Sequence, residues 1–462
     1  MTAGPSPRQR ASAPLTARPR IAVIDDDPTG SQAVHEVDTV LDPAALSEIG
    51  ESLTRAGAVC FVLTNSRSMP AAGAAEVNYR LGTYLARRRA AGGPPVTVVS
   101  RSDSTLRGHF TAEIQALTRA RLDVLGAGYD AIVICPAFLE AGRITVGNIH
   151  LARSGEQFVP VGETEYARDV EFGYSSSDLR EFIAERTGGQ VRAADVLSIG
   201  LDDIRVGGVG RVASLLDSAV GGRYVVLNAS EQSDLDILAS GIARSQAGGK
   251  ELLLRTGPSL IRALAGLSVA PPLTTAELWP GGRRPGFGAV FVGSHVQTTS
   301  SQLDVLLSRG LATGVELQAG QVLDDRTRSE HLAKVTAQAA RALDRGNVAV
   351  YTSRAVVGAP GAAELEVARR VSAALSAVAS GLATRAPAWV VGKGGITSHD
   401  VAVSGLGIRR ARVLGQLLPG LISVLQPVSA PAGVIGLPYV VFAGNVGDTS
   451  TLAYVVQRMA AR

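Results

Sequence analysis

Short apolar runs, each stopping at a polar or glycine-rich turn, recur from one end of this chain to the other. Ile21–Ile24 stops at Asp25-Asp26-Asp27-Pro28-Thr29-Gly30, Ala58–Leu63 at Thr64-Asn65-Ser66-Arg67, Pro95–Ser100 at Arg101-Ser102-Asp103-Ser104, and Ala131–Cys135 at Pro136-Ala137-Phe138. Stretches with helical spacing, such as Ala71–Ala91 and Ala112–Leu125, lie between them. Runs this short and continuous suit strands buried on both faces, and their alternation with helices predicts parallel, helix-flanked sheets.

The alternation continues through Val196–Gly200 and Tyr224–Asn228, pauses in a stretch dense in proline and glycine near 270–287, and then restarts. Gly288–Ser294 reads as strand then turn, strands are expected at Thr313–Leu317, Asn347–Tyr351, Trp389–Gly392 and Tyr439–Phe442, and Leu421–Leu425 is a short apolar stretch. At 462 residues the chain exceeds one ordinary core. The expectation is therefore an α/β protein of two domains, residues 21–275 and 286–462, each built on a mostly parallel helix-flanked sheet, with the active site in the cleft between them. The two halves are not obvious repeats of each other. Arg143–His150 reads as a hairpin or flap. Residues 1–20, rich in Pro, Ser and Ala, read as a disordered tail.

Charge narrows the function. The net charge of +4 is matched by the tail's Arg8, Arg10, Arg18 and Arg20, so the body is near neutral and lacks a nucleic-acid footprint. No apolar run approaches the roughly 18 residues of a membrane helix, and the tail has no apolar core of a secretory signal. Cys60 and Cys135 each sit in an apolar run, as reduced buried thiols do. A cytoplasmic protein without nucleic-acid or membrane partners is expected. His35, His109, His150, His295, His331 and His399 lack paired ligand spacing. Only His109 and His295 fall near candidate loops, and the ligands of any metal stay unassigned.

Two kinds of strand end carry chemistry. In the first half, three aspartates, Arg67, Arg101 and Arg107, and the hydroxyls around Asp103 converge if their strands are neighbours. Guanidinium groups pair a carboxylate while aspartates accept sugar hydroxyl protons, so a small polyhydroxylated anion fits. In the second half the ends are Gly293-Ser294, Lys393-Gly394-Gly395-Ile396-Thr397-Ser398 and Gly444-Asn445-Val446-Gly447. Such loops bring backbone N–H groups close to phosphate oxygens, with Lys393 a candidate cation, so a nucleotide is expected. Neither a P-loop nor a dinucleotide fingerprint is present. Pro136–Arg143 is a candidate wall or lid, with Arg143 able to face an anion.

Asp26-Asp27-Pro28-Thr29-Gly30, Thr64–Arg67, Arg101–Gly108, Pro136–Arg143 and Gly394–Thr397 resemble, in order, motifs of the four-carbon acid sugar kinase family, over nearly the whole chain after the tail. The resemblance implies a sugar-acid-binding N-terminal domain, an ATP-binding C-terminal domain, and phosphorylation of 3-oxo-tetronate, threonate or erythronate at the terminal hydroxyl. It implies substrate contacts from Asp26, Asp27, Arg67 and Arg101–Ser104. It implies nucleotide contacts from Ser294, Gly394–Thr397, Gly444 and Gly447. Many members have lysine at Arg101 and a hydrophobic residue at Pro28, which leaves the particular sugar acid open. The expected mechanism is in-line transfer from ATP with Mg²⁺ on the phosphates, Asp26 or Asp27 accepting the proton and Asp103 as runner-up. A hinge near 270–287 would close the transfer distance. A lyase or aldolase without ATP and a non-catalytic sugar-acid sensor are the alternatives, and a homodimer is kept as an option.

Overall fold

The computed structural model describes residues 19–27, 30, 34–353, 362–418 and 422–461. Most of the predicted tail, together with Pro28 and Thr29 of the acidic turn, lies outside the described residues. The chain divides into two compact units, Met1–Ala33 with Pro43–Val269, and Val34–Asp42 with Ala270–Arg462. The second unit thus contains a short segment that precedes most of the first, an arrangement that a division by sequence order misses.

Strands are numbered along the chain. The first unit contains β1 (Arg20–Asp25), while β2 (Val37–Val40) belongs to the second. The first unit continues with β3 (Val59–Leu63), β4 (Val96–Arg101), β5 (Ala131–Cys135), β6 (Arg143–Val146), β7 (Ile149–Ser154), β8 (Gln157–Pro160), β9 (Leu197–Ile199), β10 (Arg223–Leu227) and β11 (Leu252–Thr256). Its main sheet runs β3-β1-β4-β11-β5-β10-β9 and every pairing is parallel. The interior strands are buried along their length, as expected for a sheet covered on both faces. The predicted flap is a separate antiparallel sheet, β6-β7-β8.

β11, between β4 and β5, has no counterpart in the sequence reading. Its Leu252-Leu253-Leu254 core consists of good helix formers and stands just after a long helix, so local preference hides it. The strand exists because both neighbours bury it.

In the second unit the strands are β12 (Ala289–Val292), β13 (Thr313–Leu317), β14 (Val348–Thr352), β15 (Val390–Lys393), β16 (Arg410–Leu418), β17 (Ile422–Ser429) and β18 (Tyr439–Phe442). The order β13-β14-β12-β15-β18 is parallel, and β17, β16 and β2 extend it antiparallel. β16 and β2 were not predicted. β16 carries Gly415 and a register irregularity, which blur its alternation. The core beneath this sheet gathers Trp389, Phe442, Leu303, Leu306 and Val456. Among the described residues no helix is long and apolar enough to cross a membrane.

Candidate active site

Because β3, β1, β4 and β11 are consecutive parallel neighbours, their carboxyl ends come together. Asp25 stands in register with Leu63 on one side and Arg101 on the other, and Thr256 stands opposite Arg101. The turns are stitched to one another. The Thr64 hydroxyl donates to the Asp25 carbonyl at 2.8 Å, and the Ser102 N–H donates to the Thr256 carbonyl at 3.0 Å. Asn65 takes a left-handed conformation (φ 52°) ahead of the single turn Ser66–Ser68, and the Arg67 N–H donates back to the Asp26 carbonyl.

The three aspartates divide two guanidiniums among them. Arg67 grips Asp26 with both arms, Nη2 to Oδ1 at 2.6 Å and Nε to Oδ2 at 3.2 Å, and reaches Asp27 at 3.4 Å. Arg101 donates to Asp25 at 2.9 Å and lies 4.0 Å from Asp27. Burial pushes the Asp25 carboxyl up to about 7 despite Arg101, with Asp26 and Asp27 adding to the rise. Burial raises Asp26 as well, against the pull of Arg67. Asp103 is the opposite case. Arg67, Arg107 and the Thr105 hydroxyl outweigh its burial and lower it to about 2. Asp103 is therefore a weaker proton acceptor than Asp26.

Ser104 turns its carbonyl to His150 Nε2 at 2.8 Å, so the antiparallel β6-β7-β8 sheet holds the Arg101–Arg107 turn from one side. Tyr174 adds a bond to the Thr105 carbonyl at 2.7 Å. His109 is structural, with Nε2 2.7 Å from the Met69 carbonyl and its ring edge-on to Phe172.

Sequence reasoning missed two members of this site. Arg255, on β11, pairs with Glu113, and both side chains are almost wholly buried. Ser66 donates to the other Glu113 oxygen at 2.5 Å, and Arg255 Nη1 donates to Ser100 Oγ at 2.6 Å. A β-carbon built at Gly108, where φ is +116°, would lie 2.9 Å from Asp26 Oδ2 and 3.7 Å from Arg255 Nη2. Glycine there lets the backbone pack against the buried Asp26 carboxylate. A glutamate inside the apolar face of a helix (Ile114, Leu117) was the available signal for Glu113.

The second unit repeats the logic with other groups. β12, β15 and β18 are adjacent, and their ends carry Ser294, the Gly394–Thr397 turn and the Gly444–Gly447 turn. Thr299 Oγ1 lies 2.8 Å from the Gly444 carbonyl and 3.2 Å from Ser294 Oγ. Gly394 has φ +118°, and a β-carbon on it would meet Ser294 and Thr397 at 3.1 Å. Gln302 holds the Val446 and Asp448 carbonyls at 3.0 and 2.7 Å. Ile396 and Asn445 are exposed and Gly447 has φ +82°. The helix Gly395–Asp400 that follows passes into a π turn at Val401–Gly405. His295 sits 3.4 Å from Thr352 Oγ1.

Lys393 differs from expectation. Its side chain is buried, with Nζ donating to the Ala443 and Gly444 carbonyls at 2.8 and 3.1 Å over the Phe442 ring. Burial lowers its pKa to about 7. Its ammonium braces the loop from below. Among the described residues no cluster of three or more His, Cys, Asp or Glu could hold a metal ion.

Residues 21–264 match the model of a sugar-binding N-terminal domain, and residues 289–452 that of a nucleotide-binding C-terminal domain. The chain belongs to the four-carbon acid sugar kinase family. It is 27% identical over 458 residues to a D-threonate kinase of Salmonella typhimurium, covering 95% of this chain and 99% of that one. It is 27% identical over 456 residues to a 3-oxo-tetronate kinase of Methylobacterium radiotolerans, at the same coverage. It is 28% identical over 335 residues to a D-erythronate kinase of Heliobacterium modesticaldum, covering 70% and 69%. The fold recurs in a solved Haemophilus influenzae protein with a TM-score of 0.62 at 19% identity, covering 94% of this chain and 99% of that one. The protein is accordingly a phosphotransferase with an alcohol group as acceptor.

Proposed function

We propose that this family member transfers the γ-phosphoryl group of ATP to the terminal hydroxyl of a four-carbon sugar acid of the threonate, erythronate or 3-oxo-tetronate type. The observation that carries the reading is the Asp25–Asp27 cluster on Arg67 and Arg101, in the unit that matches a sugar-binding domain. Asp26 is assigned as the proton acceptor. Burial raises its pKa, which makes it a better base than Asp103. Arg67 holds that carboxylate in one orientation, and its charge works against the rise that burial causes.

The glycine turns of the second unit are assigned to the nucleotide phosphates, with Ser294, Thr397 and the N–H groups of Gly394–Ile396 as donors. Lys393 keeps the Gly444 turn in shape. Mg²⁺ would enter with the phosphates, which ordinarily supply much of its coordination. Transfer requires that the acid and the nucleotide meet with water excluded. An ATP donor argues for a cytoplasmic location.

The test is a panel of D-threonate, D-erythronate and 3-oxo-tetronate assayed for ADP release that depends on the acid. Release without acid, or turnover of the acid without ATP, would overturn the reading. For Asp26→Asn we expect kcat to fall by about 10²–10⁴-fold, with sugar-acid binding by calorimetry retained. Since the base must be ionised, the wild-type rate should climb with pH through a value above the ordinary aspartate range. A flat acid limb would remove Asp26 from the role.

A further inference from the structure

The Pro136–Arg143 loop has no role in the mechanism above, yet its last residue is placed like a ligand group. Phe138 and Arg143 exchange backbone hydrogen bonds at 3.0 and 2.9 Å, closing the loop on itself. Gly142 makes the closure possible with φ +67°, where a β-carbon would lie 2.5 Å from that of Arg153. Glu140 is engaged elsewhere, paired with Arg262 and accepting from Ser259 Oγ at 2.8 Å. Arg143 therefore starts from a fixed backbone and, among the described residues, has no acid of its own.

Its guanidinium lies 5.8 Å from the centre of the Tyr166 ring, and that of Arg107 lies 5.1 Å from the same ring. Arg143 is thus beside the Arg101–Arg107 turn. The buried His150, bonded to the Ser104 carbonyl, feels both Arg143 and Asp103.

The arginines of this region differ in one respect. Arg67 is committed to Asp26 and Asp27, Arg101 to Asp25, Arg107 to Asp103 and Asp169, and Arg255 to Glu113. Among the described residues Arg143 donates only to the Ala141 carbonyl, and its buried Nε has no hydrogen-bond partner. An incoming carboxylate would compete with an existing ion pair at each of the other four, whereas among the described residues Arg143 holds no carboxylate. A partly buried guanidinium stacked on an aromatic ring also loses little freedom when it binds.

We propose that Arg143, with Tyr166 as its wall, is the receptor for the substrate's carboxylate and the residue that makes the site select an acid over a neutral polyol. This rests on the sugar-acid reading of the first unit, and it orients the substrate. The carboxylate end lies at Arg143 and the reacting hydroxyl end at the Asp25–Asp27 turn.

The experiment compares each four-carbon acid with the polyol that carries CH₂OH in place of the carboxylate, by calorimetric binding without nucleotide and by ATP-dependent turnover. Wild type should favour the acid by on the order of 10²-fold. Arg143→Met keeps an apolar stem on Tyr166 but removes the charge. It should weaken acid binding by that factor, through KM and not kcat, and leave the polyol unchanged, so the preference falls towards one. Arg143→Lys should restore part of it. A variant that keeps the preference, or that loses acid and polyol equally, overturns the assignment. If the acid binds in an Arg143-dependent way but no ADP is released, the kinase reading fails and the receptor stands.

Discussion

The two candidate sites stand at the same place in their sheets, the carboxyl ends of adjacent parallel strands, yet they are made of different material. The first unit builds its site from charged side chains in buried pairs, Asp25 with Arg101, Asp26 with Arg67 and Glu113 with Arg255. The second builds its site from glycines, hydroxyls and backbone N–H groups, and its one lysine lies beneath the loop with its pKa reduced to about 7. Fixed ion pairs hold the shape of a small site, whereas backbone donors suit phosphates common to every nucleotide. The contrast is what the proposed acceptor and donor sites would require.

The largest expected effect tests whether charge is structural in the first unit alone. Glu113→Ala leaves Arg255 charged and unpaired in the interior and should cost about 3–5 kcal/mol of stability. Lys393→Met removes a cation that has no carboxylate partner and fills the same apolar space over Phe442. It should cost about 1 kcal/mol, the worth of ordinary hydrogen bonds to carbonyls. Denaturant titration of both variants reads the difference. Equal losses would break the contrast.

The donor side is probed next. Gly394→Ala forces φ +118° on a residue with a side chain and presses it on Ser294 and Thr397. Nucleotide affinity should fall by about 10-fold or more, equivalent to the roughly 1–3 kcal/mol of such strain. Sugar-acid affinity should not move, and calorimetry with each ligand separates the two.

The same contrast explains what could be read from the sequence. Asp26, Arg67, Arg101 and Asp103 were visible because they stand in turns, directly after runs that can only be buried strands. The loops of the second unit were visible through their glycines. Glu113 and Arg255 were not, because a helix face and a leucine-rich strand each conceal one buried charge, and only the insertion of β11 between β4 and β5 brings Arg255 beneath the acidic turn. Strand β2 was invisible for a related reason. Four residues gain their pairing from β16, far along the chain. The side chain of Lys393 was misplaced because loop position gives no sign of whether an ammonium points up to a ligand or down to carbonyls.

The smallest effect concerns Asp25, the member of the acidic turn where the resemblance to the family has not yet begun. Its carboxyl is raised from 3.8 to about 7 in the folded state. A raised carboxyl contributes stability that is fully present below the unfolded value and is lost as pH rises through the folded one. Asp25→Asn removes that loss while keeping an oxygen for the Arg101 guanidinium and the Asp27 N–H. The variant should therefore gain on wild type as pH rises, by about 1 kcal/mol between roughly pH 6 and pH 8, the equivalent of one pKa unit. Thermal melts across that window measure the gap, and a gap that stays constant would mean that Asp25 is ionised throughout. Turnover decides whether the strain serves the reaction. If Asp25→Asn is more stable at alkaline pH but phosphorylates the acid more slowly, the buried carboxylate is held at the acceptor site for function at the expense of the fold.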